Sequence, residues 1–271
     1  MKRVDLIKVE HATKIGQKCP YIEPNITEDC IFYENGIPIG FYIKEISKYS
    51  EKAQKLADLA NVEFLSKNVP KTKLDRSDVL KAQMDNPNLT REQARKIGTS
   101  QMSTILGGVP PKPQFKRSYA TKSSIHSVKS AETFVKAMLL LAKESEAIMK
   151  EILPEQYYKQ KEIFEQVEEK WRFADLFTSS ISNFNISAPF HRDTANIDGC
   201  VNVIITKRLN SKGGNLHVPD YGATMDSANN SMLVYPAWKN VHGVTPIIPT
   251  HEGGYRNSLV FYPLKAFVGL K

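Results

Sequence analysis

Cysteine and long apolar runs are scarce in this chain of 271 residues, and a phosphate-binding glycine motif and internal repeats are missing. The three cysteines, Cys19, Cys30 and Cys200, are odd in number and widely spaced, so they predict neither a disulfide framework nor a zinc site. The longest apolar runs, such as 137–142, are far shorter than the roughly 20 residues that a membrane-spanning helix needs. No apolar signal segment follows the N-terminus. We therefore expect no membrane partner and a reducing, cytoplasmic location.

Acidic residues are absent between Glu92 and Glu132. The same stretch holds seven basic residues, which are Arg95, Lys96, Lys112, Lys116, Arg117, Lys122 and Lys129. Residues 1–150 contain 25 basic and 17 acidic residues and residues 151–271 contain 12 of each, so the first part accounts for the whole net charge of +8. Such a segment is typical of a polyanion-binding surface. A solvated basic surface has the same composition, and charge alone leaves both interpretations open.

The order of predicted elements indicates an α+β fold. Asn35-Gly36 between two apolar stretches is typical of a β-hairpin. Helical periodicity covers about 48–67, 130–152 and 155–171, and short strands separated by turns follow Trp171. The predicted strands are 179–186, 200–205, 215–218, 231–235, 241–247 and 257–267. Strands so short and closely spaced favour an antiparallel sandwich or barrel over a parallel βαβ sheet.

A metal site is indicated by His191 and Asp193, which are two residues apart. In an extended segment such residues point to the same side, so an imidazole and a carboxylate can converge on one ion. His242 follows 49 residues after Asp193, far enough for intervening strands to bring it beside the pair. Two imidazoles and one carboxylate are the facial triad of non-haem Fe(II) oxygenases, although zinc in a hydrolase would accept the same ligands.

An anion site is indicated by Arg256 and Ser258, which face the same way in an alternating strand. A buried guanidinium needs an anion. The far carboxylate of a dicarboxylic cosubstrate such as 2-oxoglutarate would pair with Arg256 and accept from the Ser258 hydroxyl. Taken singly, each of these residues has an ordinary structural explanation, and their order along alternating strands is what favours a site.

In this order the residues resemble a known family. Four sequence segments are similar to motifs of the Fe(II)/2-oxoglutarate-dependent dioxygenases. They are His191-Arg192-Asp193-Thr194-Ala195-Asn196, 213–222, 242–246 and 256–262. Within that superfamily they most resemble the nucleobase-oxidising branch, which contains the TET methylcytosine dioxygenases, the J-binding proteins and phage-encoded relatives. If this chain is also phage-encoded, the expected location becomes the host cytoplasm.

The resemblance implies a fold, cofactors and residue roles. It implies a double-stranded β-helix (jelly-roll) core at 176–271, with 1–175 as a helical and basic elaboration of a single catalytic domain, 1–271. It implies that His191, Asp193 and His242 bind Fe(II), and that Arg256 and Ser258 hold 2-oxoglutarate, with O₂ as the other cosubstrate. It also implies that Asn196 hydrogen-bonds a flipped base and Tyr262 stacks on it. The oligomeric state and the ligand for the keto-acid end of 2-oxoglutarate stay open.

The expected reaction is oxidation of the C5-methyl group of a pyrimidine in DNA, with 5-methylcytosine ahead of thymine. Such a base must be flipped out or single-stranded to reach a buried metal. The expected contacts to the DNA backbone are Lys112, Lys116, Arg117 and Lys122. Leu264 stands where animal methylcytosine enzymes have a base-contacting histidine, and no cysteine-rich zinc region exists. The alternatives are a free nucleotide, a small molecule or a protein as substrate, or a nucleic-acid-binding module without activity.

Overall fold

The computed structural model describes residues 1–73, 87–88, 90 and 101–271 and arranges them around two facing β-sheets. The strands are β1 (Lys2–Asp5), β2 (Cys30–Glu34), β3 (Ile37–Ile43), β4 (Thr72–Lys73), β5 (Met102–Val109), β6 (Thr121–Lys122), β7 (Ser179–Phe184), β8 (Ala188–His191), β9 (Asn202–Leu209), β10 (Ser211–Gly213), β11 (Leu216–Val218), β12 (Ala223–Met225), β13 (Met232–Tyr235), β14 (His242–Val244), β15 (Ile247–Pro249) and β16 (Tyr255–Tyr262). The α-helices are α1 (Glu51–Leu65), α2 (Glu132–Ile152) and α3 (Pro154–Phe164).

The large sheet has the order β1-β2-β3-β13-β9-β16-β7-β5-β4, with β6 paired to β5. Its pairings are antiparallel except for the parallel pair β1–β2. The small sheet has the order β12-β11-β14-β8. Side chains of both sheets line one cavity between them, as in a jelly roll. The predicted α+β class with a double-stranded β-helix core is therefore confirmed.

Side chains of β16 point alternately to the two faces of the large sheet, so this strand contributes both to the apolar core and to the cavity. Leu259 and Phe261 are fully buried in the apolar core on the helix side of the large sheet. Ser258 and Val260 point the other way and line the cavity. Successive side chains of a strand face opposite sides of its sheet, so a polar site can lie behind an apolar core. Burying the Phe261 ring contributes roughly 1.5–3 kcal/mol to this core.

The helices pack on the outer face of the large sheet, and two of them begin at residues that favour a helix start. The Ser50 hydroxyl caps α1 by accepting from the N–H of Ala53, and Pro154 opens α3. The predicted stripe on α2, which includes Phe134 and Met138, is buried against the sheet. The third predicted helix extends too far, because α3 ends at Phe164. There the guanidinium of Arg172 donates to the Phe164 carbonyl oxygen at 2.8 Å, and the chain turns.

The large sheet extends beyond the predicted core at 176–271. Six of its ten strands, β1–β6, come from residues before 176. The predicted hairpin at Asn35-Gly36 connects β2 and β3, and both residues have positive φ. β3 then pairs with β13, which joins the hairpin to the core sheet. A hairpin leaves a local signal in the sequence, whereas the strand with which it pairs depends on distant residues. The sheet therefore continues across the predicted boundary at residue 176.

Residues 6–26, here called the N-terminal strap, cross the small sheet from one edge to the other. Phe190 of the edge strand β8 exchanges backbone hydrogen bonds with Gly16 and Gln17 at 2.7 and 2.9 Å. At the other edge the N–H of Ile26 donates to the Thr224 carbonyl at 3.1 Å. Between these points, a Cβ on Gly243 would lie 2.9 Å from the Cβ of Cys19. The strap therefore needs glycine at this position of β14.

Among the described residues, no helix has the length and apolar character to cross a membrane.

Candidate metal and cosubstrate site

Three side chains predicted to bind a metal lie together in the wall of the cavity. His191 ends β8, Asp193 follows it, and His242 begins β14 directly opposite His191 in the antiparallel register. One ligand atom from each residue lies within 4.8 Å of the others. The two imidazole centroids are 4.4 Å apart. The strand pairing thus brings together two residues that are distant in the sequence.

Each imidazole is oriented by a backbone carbonyl. His191 Nδ1 lies 2.8 Å from the Pro189 oxygen, and His242 Nδ1 lies 3.1 Å from the Asn240 oxygen. With Nδ1–H donating outward, each Nε2 keeps its lone pair for an ion, which is the usual arrangement around metal-binding histidines.

The Asp193 carboxylate is held in the same manner by amide side chains. Its Oδ2 accepts from Asn202 Nδ2 at 3.1 Å and from Asn196 Nδ2 at 3.4 Å. Its Oδ1 lies 3.5 Å from His191 Nε2 and faces the point where an ion would bind. One oxygen is therefore anchored and the other is left to coordinate.

Burial and charge prepare these groups for a cation. Burial lowers the pKa of His242 and keeps its imidazole neutral. Protonation of His191 would let its Nε2 donate to Asp193, and this raises the pKa of His191. Burial opposes ionisation of Asp193, but hydrogen bonding with His191 and the electrostatic effect of the neighbouring histidines outweigh it, so the pKa of Asp193 lies below its usual value. An ionised carboxylate beside two imidazoles is a ligand set that suits Fe(II).

The cavity has a volume of about 450 Å³, which is in the range of small-molecule sites. The large sheet contributes Ile181, Asn183, Asn202, Ile204, Tyr235, Arg256, Ser258, Val260 and Tyr262 to its wall. The small sheet and its connections contribute His191, Asp193, Leu216, His242 and Val244. The predicted metal ligands and the predicted anion site therefore open into one space.

Arg256 and Ser258 lie side by side on the cavity face of β16. Arg256 is 5% exposed, and its Nε has no hydrogen-bond partner. Burial and the neighbouring charge of Arg208 lower the pKa of Arg256 to about 9. A buried guanidinium with an unpaired donor requires an anion, and a carboxylate matches its fork of N–H groups. The pair thus fits the far carboxylate of 2-oxoglutarate.

Gly214 makes room for the Arg256 side chain. Its φ is +68°, and a Cβ there would lie 2.7 Å from Arg256 Cδ. The signal for this residue in the sequence is the Gly213-Gly214 pair, which marks a turn without revealing what packs against it.

The two residues predicted to contact a base differ in their surroundings. Tyr262 is half-buried and lines the cavity, and burial raises the pKa of its hydroxyl. Asn196 is 3% exposed, and its amide nitrogen donates to Asn202 Oδ1 at 2.8 Å and to Asp193. Its NH₂ group therefore belongs to the network that anchors the Asp193 carboxylate. Sequence reasoning missed Asn202, whose only signal is an amide inside an apolar strand.

Residues 110–122, here called the basic loop, follow β5 and end with β6. The backbones of Lys112 and Arg117 pair across the loop at 2.7 and 3.2 Å. Lys116 and Lys122 are exposed. Ala120 packs against the apolar cluster that includes Leu264 and Phe267, and Tyr262 of the cavity wall packs against the same cluster. Arg95 and Lys96 of the acid-free segment fall outside the described residues.

A family model for the oxygenase domain of the 2OGFeDO superfamily, named Tet_JBP, matches residues 111–265. The chain belongs to this family. It is therefore an Fe(II)/2-oxoglutarate-dependent dioxygenase, and both the predicted family and the predicted enzyme class are confirmed. The family uses Fe(II), 2-oxoglutarate and O₂, while the assignment of individual residues to these groups stays a prediction.

A solved structure shares the fold of this chain. NgTET1 in complex with 5mC DNA superposes with a TM-score of 0.58 at 10% identity, covering 95% of this chain and 84% of that one. OsALKBH1 covers 89% of this chain and 99% of its own at 12% identity, with a TM-score of 0.39, too low to support an argument. A comparison with curated proteins found no match. At these identities NgTET1 supports the fold alone.

Proposed function

We propose that this Tet_JBP dioxygenase oxidises the C5-methyl group of a pyrimidine in DNA, with 5-methylcytosine as the first candidate base. The observation that carries the proposal is the set of groups that line one cavity. An orphaned guanidinium, a group of two imidazoles and a carboxylate, and the ring of Tyr262 all face this space. The bound DNA of the structural neighbour NgTET1, which contains 5mC, adds support.

The roles of the residues follow from these positions. His191, Asp193 and His242 would hold Fe(II), and Arg256 and Ser258 would hold the far carboxylate of 2-oxoglutarate. Together with O₂, the bound group supplies an oxidant for a C–H bond, with succinate and CO₂ as co-products. The apolar wall, which includes Ile181 and Ile204, excludes water from the reacting carbon.

To enter the cavity, the target base has to leave the stacked bases of the DNA duplex. A methyl group within a duplex cannot approach buried ligands, so the nucleotide flips or is already single-stranded. Tyr262 offers an aromatic face for stacking, a contact worth about 1–3 kcal/mol per base. The basic loop supplies phosphate contacts through Lys112, Lys116, Arg117 and Lys122. Tyr119 on this loop is 66% exposed and offers a second stacking surface.

The cellular location and the domain boundaries remain proposals. All three cysteines are free and buried, which supports a reducing, cytoplasm-like compartment. One sheet spans residues 2–262, which supports a single catalytic domain.

The test is incubation with Fe(II), 2-oxoglutarate and O₂ followed by mass spectrometry of nucleosides. Duplex DNA with 5-methylcytosine, unmodified duplex DNA and free nucleotides are compared, so that cytosine, thymine and free substrates are separated. We expect 5-hydroxymethylcytosine from the methylated DNA, and no product with Asp193→Ala. Oxidation of free nucleotides alone, or of neither methyl group in DNA, would contradict the proposal.

A further inference from the structure

A second arginine lies directly opposite Arg256 in the sheet. The antiparallel register of β9 and β16 pairs Arg208 with Arg256. Opposed residues of an antiparallel pair share a face, with Cβ atoms roughly 5 Å apart, and like charges at such positions repel each other. Arg208 therefore projects on the cavity side of the large sheet, next to the guanidinium assigned to 2-oxoglutarate.

Both guanidinium groups meet at the Gly213-Gly214 turn. Arg208 Nη2 donates to the Gly213 carbonyl oxygen. A Cβ on Gly214 would lie 3.1 Å from Arg256 Nε, so this nitrogen adjoins the same turn. The Nε atoms of both arginines are buried and have no hydrogen-bond partner. Two unpaired donors thus lie buried at this turn, and Arg256 lines the cavity there.

The local charges do not balance. Asp226 is the carboxylate that most favours the charge of Arg208, and no ion pair joins either arginine to a carboxylate within the described ranges. Two guanidinium groups and one carboxylate leave one positive charge in a buried region. Burying an uncompensated charge is costly. One additional carboxylate would neutralise this region.

We propose that Arg208 supplies a second guanidinium to the far carboxylate of 2-oxoglutarate and thereby makes the site selective for diacids. The inference rests on the proposed roles of Arg256 and Ser258. Arg256 holds the carboxylate from β16, and Arg208 approaches it from β9 through its free Nε side. A 2-oxoacid without a far carboxylate would leave both guanidinium groups unpaired.

Binding can be measured without turnover. Calorimetry under argon with Mn(II) in place of Fe(II) compares 2-oxoglutarate with 2-oxobutyrate, which lacks the far carboxylate. In Arg208→Met we expect the Kd of 2-oxoglutarate to rise about 10–100-fold, the loss typical of a hydrogen bond to a charged group. The Kd of 2-oxobutyrate should change less than about twofold, and Arg208→Lys should recover part of the loss.

Lys212→Met is the matched control, since it removes the same charge four residues further on from an exposed position. It should leave both affinities unchanged. Unchanged binding of 2-oxoglutarate in Arg208→Met, or an equal loss for both acids, would overturn the inference. If Arg208→Met does not fold, Arg208→Lys decides, because wild-type selectivity between the two acids in that variant would also overturn it.

These measurements contain no DNA. A protein that leaves DNA unoxidised yet loses selectivity for diacids in Arg208→Met would contradict the proposed DNA substrate and support the role of Arg208. Oxidation of DNA by a protein that keeps its selectivity for diacids in Arg208→Met would contradict only the role of Arg208.

Discussion

The carboxylate of Asp193 can rotate about its terminal bond, and two amide side chains restrict this rotation. Asn202 donates to Oδ2, and Asn196 donates to both Asp193 and Asn202. Three side chains thus form a closed network of hydrogen bonds beside the metal-binding group. Partners of this kind affect metal affinity without touching the metal.

Asn202→Ala should weaken metal binding, because Oδ2 of Asp193 loses its shorter hydrogen bond and the carboxylate can rotate. We expect Mn(II) affinity, measured by calorimetry, to fall about 10–100-fold. The matched control is Asn61→Ala, which removes a buried amide that contacts Tyr255 and Asn257 on the helix side of the sheet. A similar loss of metal affinity in both variants would show that general destabilisation, and not the hydrogen bond to Asp193, causes the loss.

Gly214→Ala should weaken the binding of 2-oxoglutarate, because the added methyl group would displace the Arg256 side chain. Gly253→Ala is the control, since Gly253 has φ +73° but no atom within 4 Å of the added Cβ. Both substitutions strain the backbone, and Gly214→Ala alone should raise the Kd of 2-oxoglutarate by about tenfold or more. Equal effects of the two variants in calorimetry would refute the packing argument.

Residues with distinctive chemistry were predictable, and those that support them were not. His191 and Asp193 are two apart, as are Arg256 and Ser258, so strand periodicity alone places each pair on one side. Asn202 and Arg208 gain their significance from the strands that β9 joins, and pairing between distant strands leaves no local pattern. The sequence therefore indicated the residues predicted to bind the metal and the cosubstrate, and the structure adds the residues that support them.

At the scale of elements, α2 is joined to the large sheet by a buried acid. Glu146 is 4% exposed, and its Oε1 accepts from the N–H groups of Asp175 and Leu176 at 2.9 and 2.7 Å. These residues lead into β7. Burial raises the pKa of Glu146 to about 8. The apolar stripe of α2 was predictable from its period, whereas a charged residue within that stripe resembled an ordinary solvent-exposed glutamate.

Glu146→Gln should change how stability depends on pH. The folded protein keeps the Glu146 proton between about pH 4.5 and 8, and the unfolded chain loses it, so the free energy of unfolding falls as pH rises through this window. Gln keeps an oxygen acceptor and does not titrate. Relative to wild type, the variant should gain more than about 1 kcal/mol between pH 5 and pH 8 in urea unfolding.

Glu146→Ala serves as the comparison, since it leaves both N–H groups without an acceptor. It should be less stable than Glu146→Gln at every pH. A constant difference between wild type and Glu146→Gln from pH 5 to pH 8 would contradict the raised pKa.

Across the whole molecule, charge is separated from the apolar core. Ala120 of the basic loop packs against the same apolar cluster as Tyr262, whereas α1 and α2 pack in the core on the other face of the large sheet. In the described residues, Lys116 and Lys122 have no ion pair. The sequence predicted this positive segment from its composition, but its packing beside Tyr262 depends on the fold.

The double variant Lys116→Ala/Arg117→Ala should weaken DNA binding and leave 2-oxoglutarate affinity unchanged. Each lost phosphate contact should reduce the salt dependence of binding by about one unit on a log–log plot. Lys55→Ala/Lys143→Ala removes the same charge from exposed positions on the helices. Fluorescence anisotropy at several salt concentrations should show a smaller slope in the loop variant only. Equal slopes in both variants would exclude the loop from the DNA contact.

The position of β16 constrains the order of assembly. β16 is synthesised after every other strand in the large sheet, yet it lies between β9 and β7. Before residues 255–262 emerge, the facing edges of β9 and β7 have no strand to pair with, and exposed edges favour aggregation. Completion of the oxygenase core therefore waits for a late insertion event, and recombinant yield should respond to translation speed and growth temperature.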